Sequence, residues 1–251
     1  MAGNLSNNTD PGKPLIDLDG IRAAYDEKGY VQISSIYSAT EIQEWKDESK
    51  RLWSLPEVKQ PDSFRVDHRA TIEGNLVPER LDPVTDVSPL FAALALDERI
   101  LSIIGSILGD FPVLFKDKLI VKPPGVMGYP LHQDFAYIDF LGFEGSMQLA
   151  ACIAIDKTDS ASGPIEFFPG LHHTRLPSPK GRVGEADECA IDISAGCVVE
   201  MNPGDMVLFS SLCPHRSAPN RSTMCRRLLF FTYNAQSSGD FYAEYYRMGK
   251  P

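Results

Sequence analysis

The chain has 251 residues, enough for one large domain with a full core. Its 34 acidic against 24 basic residues give a formal net charge of -10, and with no dense Lys/Arg run it lacks the electrostatic footprint for nucleic acid or an anionic membrane surface. No stretch approaches the roughly 20 apolar residues that span a bilayer, and five cysteines without a Cys-x-x-Cys spacing suggest neither a disulfide framework nor a zinc knuckle. The expected setting is a soluble, cytoplasmic protein in a reducing compartment, with a small molecule as partner and neither nucleic acid nor membrane.

Residues 1–14 are rich in Asn, Asp, Gly and Pro and predict a flexible lead-in to a single domain over 15–251. From Asp17 to Lys28 the spacing of Ile21, Ala24 and Tyr25 predicts a helix stopped by Gly29, and the run Tyr30–Ile36 then alternates like a strand. Ser38 or Thr40 can cap a second helix whose buried face carries Ile42, Trp45 and Leu52. Pro56 to Val87 has no clear period and reads as an irregular excursion, the kind of segment that often carries substrate contacts; His68 within it is expected to be solvated or structural. Ser88 to Asp110 reads as helix, capped by Ser88 and stopped by Gly109.

After Asp110 the character changes. PVLFKDKLIVKPP, GSMQLAACIAID, GPIEFFPG, CVVEMNPGDMVLFSS and RRLLFFTYN are short β-rich runs separated by Gly, Pro, Asp and Ser. That pattern predicts a mainly β fold with flanking helices, an antiparallel barrel or double-sheet jelly roll wrapped by the helical N-terminal part up to about residue 110.

Within the β half, LHQDF places His132 and Asp134 one residue apart in an apparently extended segment. Alternate side chains of a strand share a face, so the imidazole and the carboxylate point together while Gln133 points away. They form two thirds of the facial triad that holds non-haem Fe(II) with coordination positions open. The third ligand must come from another strand, and His215, just beyond the apolar run MVLF, is the candidate. His172 and His173 follow a Pro-Gly turn and read as turn or surface residues.

The ordered set His132-x-Asp134, Pro203-Gly204-Asp205 leading into His215, and Arg226 eleven positions later resembles the phytanoyl-CoA dioxygenase family of Fe(II) and 2-oxoglutarate dependent oxygenases. The resemblance implies a double-stranded β-helix (cupin-like) core, with Fe(2+), 2-oxoglutarate and O2 as cofactor and co-substrates. It implies that His132, Asp134 and His215 bind the metal and that Arg226 holds the distal carboxylate of 2-oxoglutarate, with Ser217 assisting. A guanidinium suits that role because its planar fork matches a carboxylate and keeps its charge when partly buried; Arg227, next along the strand, should point outward. Lys116 and Lys118 share a strand face, and in the family this strand lines the co-substrate pocket; a buried lysine needs an anionic partner, which 2-oxoglutarate or an anionic substrate would supply.

The implied activity is hydroxylation of an unactivated C–H bond of a small molecule, with 2-oxoglutarate converted to succinate and CO2. Related halogenases replace the metal-binding carboxylate by a small residue, so Asp134 favours hydroxylation over halogenation. Another metal-dependent cupin-type enzyme, or a biosynthetic member catalysing desaturation, epoxidation or ring rearrangement, stays open. FKDK and the tail TYNAQSSGDFYAEYY look most like small family members acting on small polar molecules, including aminoethylphosphonate-type hydroxylases; the tail could cover the pocket, shape a homodimer surface or simply pack.

Overall fold

The computed structural model describes residues 16–60, 62–138, 142, 144–180, 182 and 184–248; the lead-in expected over 1–14 lies outside them. Among the described residues, ten strands form two antiparallel sheets. The larger runs β1 (Tyr30–Ile33), β8 (Met206–Ser210), β5 (Gln148–Ala154), β10 (Arg226–Ala235), β4 (Pro112–Lys122), β3 (Leu76–Leu81) and β2 (Val66–Ala70) across its width, and the smaller runs β7 (Cys197–Val199), β6 (Ile165–Phe167), β9 (His215–Ser217).

The pleat explains why the central strands are apolar on both faces. Leu119, Val121, Leu149, Ala151, Ile153, Met206, Leu208, Leu229 and Phe231 face the helices, whereas Ile120, Ala150, Cys152, Val207, Phe209, Leu228 and Phe230 face the small sheet. Lys116, Lys118 and Lys122 share the phase of Ile120 on β4, and Arg226 that of Leu228 on β10. These four cations are thereby aimed into the space between the sheets.

The helical layer forms much as the local signals dictate. Asp17 caps α1 (Leu18–Lys28), which ends at Gly29 in the left-handed region. Ser38, not Thr40, caps α2 (Ala39–Trp53), through a reciprocal box in which Ser38 Oγ accepts from the Glu41 amide and the Glu41 carboxylate accepts from the Ser38 amide. Trp45 and Leu52 are buried, each such side chain adding about 1.5–3 kcal/mol.

Two expectations need correction. The helix expected over 88–110 is two, α3 (Pro89–Ala95) and α4 (Glu98–Leu108), because the Asp97 side chain accepts from the Arg99 amide and starts a new helix. The stretch 56–87 is not wholly irregular: after a 3₁₀ turn at Pro56–Lys59 it forms the β2–β3 hairpin. Pro78 and the charged positions hide the alternation, and Pro78 sits where the register of the pair shifts. His68 is exposed on β2, as expected of a solvated residue. No helix among the described residues is long and apolar enough to cross a membrane.

Candidate active site

LHQDF is not a strand. His132 makes an isolated antiparallel bridge to His215, and Asp134 opens a 3₁₀ turn over Asp134–Tyr137. The two histidines nevertheless converge more securely than alternation alone would achieve. The His132 amide donates to the His215 carbonyl and the His215 amide to the His132 carbonyl, both at 3.0 Å, which sets the ring centroids 4.1 Å apart. Gly128 permits this approach, because a Cβ there would fall 1.8 Å from the Ser217 carbonyl oxygen. Gln133 points away as expected and fastens the turn: its side-chain amide donates to the carbonyls of Thr174 and Leu212 and accepts from the Leu176 amide.

The donor atoms of His132, Asp134 and His215 lie within 4.8 Å of one another. Each imidazole has its Nδ1 against a backbone carbonyl, of Pro130 at 2.8 Å and of Cys213 at 3.0 Å. That arrangement favours the neutral tautomer protonated on Nδ1 and leaves Nε2 as a lone-pair donor, the usual outer support of a metal-binding histidine. Burial, reinforced by His215, pulls His132 down to about 3, and burial likewise lowers His215. Burial would raise the Asp134 carboxyl, but Lys116 and Lys118 outweigh it and hold the group far below the ordinary carboxylate range. Two neutral imidazoles and one carboxylate, buried and open on one side, fit a divalent iron.

These residues line a cavity of about 190 Å³ together with Arg80, Lys116, Lys118, Tyr129, Tyr137, Ser217, Arg226 and Tyr245. It is smaller than the 300–1,000 Å³ of pockets for drug-sized ligands, which limits it to small molecules. Arg226 is buried beside it, with Nη2 donating to the Gly163 carbonyl at 2.9 Å and Nε having no hydrogen-bond partner. A buried guanidinium with a spare donor is a receptor for an oxyanion. Arg227 points outward and is occupied, donating from Nε and Nη2 to the Asp156 carboxylate at 2.6 and 2.8 Å.

Ser217 Oγ faces the cavity but already accepts from Lys122 Nζ and the Tyr129 amide, both at 3.0 Å. Lys122 is the residue sequence reasoning missed. It is fully buried, and burial together with Arg226 pulls its ammonium down to about 6. The alternation that groups Lys116 with Lys118 extends two steps further to Lys122, so the signal was present. Tyr129 joins the same wall, its hydroxyl donating to the buried Glu79 carboxylate at 2.6 Å. His172 and His173 do sit in a turn, but His172 is buried, packed against Tyr25 and Gly29 and not at the surface, and neither lines the cavity. The tail does reach the cavity: α5 (Tyr242–Met248) places Tyr245 in its wall, anchored by Tyr242 and Tyr246, whose hydroxyls donate to Asp117 and Asp82.

A mainly antiparallel double-sheet core with three converging metal-type ligands defines the class, a cupin-fold protein with a candidate metal centre, and its relatives make it an oxygenase dependent on iron and 2-oxoglutarate. The chain belongs to the phytanoyl-CoA dioxygenase family (PhyH), which it matches over residues 25–228. It is 29% identical over 222 residues to a methylphosphonate hydroxylase of Gimesia maris, covering 88% of this chain and 82% of the relative. It is 25% identical over 229 residues to a 2-aminoethylphosphonate dioxygenase of an uncultured bacterium, covering 90% and 85%. A crystal structure of EctD from S. alaskensis with 2-oxoglutarate and 5-hydroxyectoine shares the fold, with a TM-score of 0.73 at 24% identity over 86% of this chain and 76% of that one.

Proposed function

We propose that His132, Asp134 and His215 hold the Fe(II) of this 2-oxoglutarate-dependent oxygenase, that Arg226 receives the distal carboxylate of 2-oxoglutarate, and that the outcome is hydroxylation of a small molecule. When bound, iron with 2-oxoglutarate and O2 supplies the oxidising power, and 2-oxoglutarate leaves as succinate and CO2. The chain's own part is orientation and exclusion of water. The Pro130 and Cys213 carbonyls fix the two imidazoles, Asp134 offsets part of the charge of the ion, and Tyr137 and Tyr245 wall the cavity. Ser217 serves Arg226 indirectly, by seating Lys122 and Tyr129 on the same wall.

The observation that carries the reading is the convergence of three ligand atoms within 4.8 Å beside a buried arginine with an unpartnered Nε. Residues 15–251 act as one catalytic unit in it, supported by an apolar core that mixes residues of α1 to α4 with those of the large sheet. A cytoplasmic setting is supported by the free state of all five cysteines. Phosphonates, named for two of the relatives, are the first substrate class to assay. The test is anaerobic titration of Fe(II) and 2-oxoglutarate, following the weak visible charge-transfer band of the chelate and then succinate on admission of air. His215→Ala is expected to abolish iron binding and succinate; retention of both would remove His215 from the site.

A further inference from the structure

The cavity holds more cationic charge than iron and 2-oxoglutarate use. Its lining includes Arg80, Lys116, Lys118, Arg216 and Arg226 against a single carboxylate, Asp134. Two of these cations have partners elsewhere: Arg216 Nε lies 2.5 Å from Glu166, and Arg80 lies 2.7 Å from Asp67 and 3.7 Å from Asp82. Lys116 and Lys118 have no carboxylate within ion-pair distance among the described residues. Each lies against a ring, Lys116 Nζ at 5.7 Å from the centre of Tyr245 and Lys118 Nζ at 5.0 Å from that of Phe230. Asp134 is the main counter-charge acting on both, and it is the carboxylate a metal would take.

The strand register separates this pair from the arginine. Arg226 lies opposite Lys122, whereas Phe230 lies opposite Lys118 and Thr232 opposite Lys116. At about 3.4 Å per residue, the backbone at Lys118 is roughly 14 Å and at Lys116 roughly 20 Å along the ladder from the Arg226 level. A five-carbon diacid, with C–C bonds of about 1.5 Å, reaches only about 5 Å between its carboxyl carbons. The cavity therefore has two cationic ends, with the metal-type triad joining them.

We infer that Lys116 and Lys118 form a second anion subsite, which binds a compact, doubly charged oxyanion of phosphonate type on the substrate itself. Alternate residues on one strand face stand about 7 Å apart, a spacing that lets two ammonium groups flank one tetrahedral oxyanion. Charge balance gives the same valence. Divalent iron, Asp134, Arg226 and a 2-oxoglutarate dianion together come to neutral, which leaves the two lysine charges for the substrate to cancel. Tyr245, carried by α5, closes this end. The inference rests on the assignment of iron and 2-oxoglutarate proposed above, and its test separates the two.

The anaerobic complex with Fe(II) and 2-oxoglutarate is titrated calorimetrically with methylphosphonate, and in parallel arms with methanesulfonate, acetate and the neutral dimethyl methylphosphonate. Methylphosphonate is expected to bind at least tenfold more tightly than the singly charged probes, and the neutral ester not at all. Lys116→Met and Lys118→Met should each weaken phosphonate at least tenfold while weakening 2-oxoglutarate far less than Arg226→Met does, and Lys116→Arg should restore phosphonate binding. Equal binding of the neutral ester, no phosphonate binding by the wild type, or lysine variants that bind phosphonate like wild type overturn the inference. Weakening of 2-oxoglutarate by the lysine variants as severe as that of Arg226→Met also overturns it, by returning the lysines to the co-substrate. Should the wild type give no chelate band, the iron and 2-oxoglutarate assignment fails by itself; the same phosphonate titration of metal-free protein, with and without the lysines, then decides the subsite.

Discussion

Arg226→Met separates a receptor from a structural residue, because the two roles give opposite signs. The guanidinium is 3% exposed, makes one hydrogen bond, to the Gly163 carbonyl, and leaves Nε unsatisfied. Burying a charge without a counter-ion is costly, and methionine fills similar length without charge, so the ligand-free variant should melt no lower than wild type. With 2-oxoglutarate the order reverses. A bidentate guanidinium–carboxylate pair supplies two charge-assisted hydrogen bonds, each about 1.5–3 kcal/mol. At the low end their sum is about 3 kcal/mol, which at 1.4 kcal/mol per decade is about a hundredfold loss of 2-oxoglutarate affinity. The assay is thermal melting of the anaerobic Fe(II) protein over a 2-oxoglutarate series, where the wild type gains stability with ligand concentration and the variant should not. A variant that melts well below wild type without ligand, yet keeps the full 2-oxoglutarate shift, would show that Arg226 only braces the sheet.

Two further outcomes follow from the ligand loop. Gln133→Ala removes a side chain holding three backbone groups, of which the Leu212 carbonyl is bonded at 2.6 Å in a buried place and the other two are half-buried; stranding a fully buried polar group costs about 1–3 kcal/mol and a half-buried one less, so urea denaturation should register a loss of about 2–4 kcal/mol, with weaker iron binding because His132 and Asp134 flank the residue. The metal-free protein should lose stability in acid through His132: its folded value is depressed to about 3 from the ordinary 6.5, so the unfolded chain binds the proton first. The contribution is complete above pH 6.5 and drains away as pH falls towards 3, and a pH series of urea midpoints should show a shallower fall for His132→Gln than for wild type.

The site was legible in the sequence where chemistry is local and opaque where it depends on pairing. His132, Asp134, His215 and Arg226 carry a spacing that marks them, and all four reach one cavity. No strand alternation unites His132 and Asp134; a bridge to His215, a glycine at 128 and the side chain of Gln133 do, and none of these contacts has a periodic signature. The β2–β3 hairpin escaped for the same reason, since a short strand interrupted by Pro78 is specified by its partner more than by its own pattern.

The lysines show the opposite case, in which period two was sufficient and was applied too briefly. Lys116, Lys118 and Lys122 stand on one face of β4, but their roles part according to what β10 and β9 set against them. Lys122, level with Arg226, is held by Ser217 and Ala218 behind the wall, whereas Lys116 and Lys118, level with Thr232 and Phe230, lie against rings in the fields of Asp134 and Asp82. On the proposed assignment, a cation confined by protein acceptors braces the end of the cavity where Arg226 stands, and a cation facing open volume is free to meet a ligand at the other. On the inferred subsite, specificity follows from which β4 lysine lacks a carboxylate partner among the described residues, which the count of lysines in the strand does not reveal.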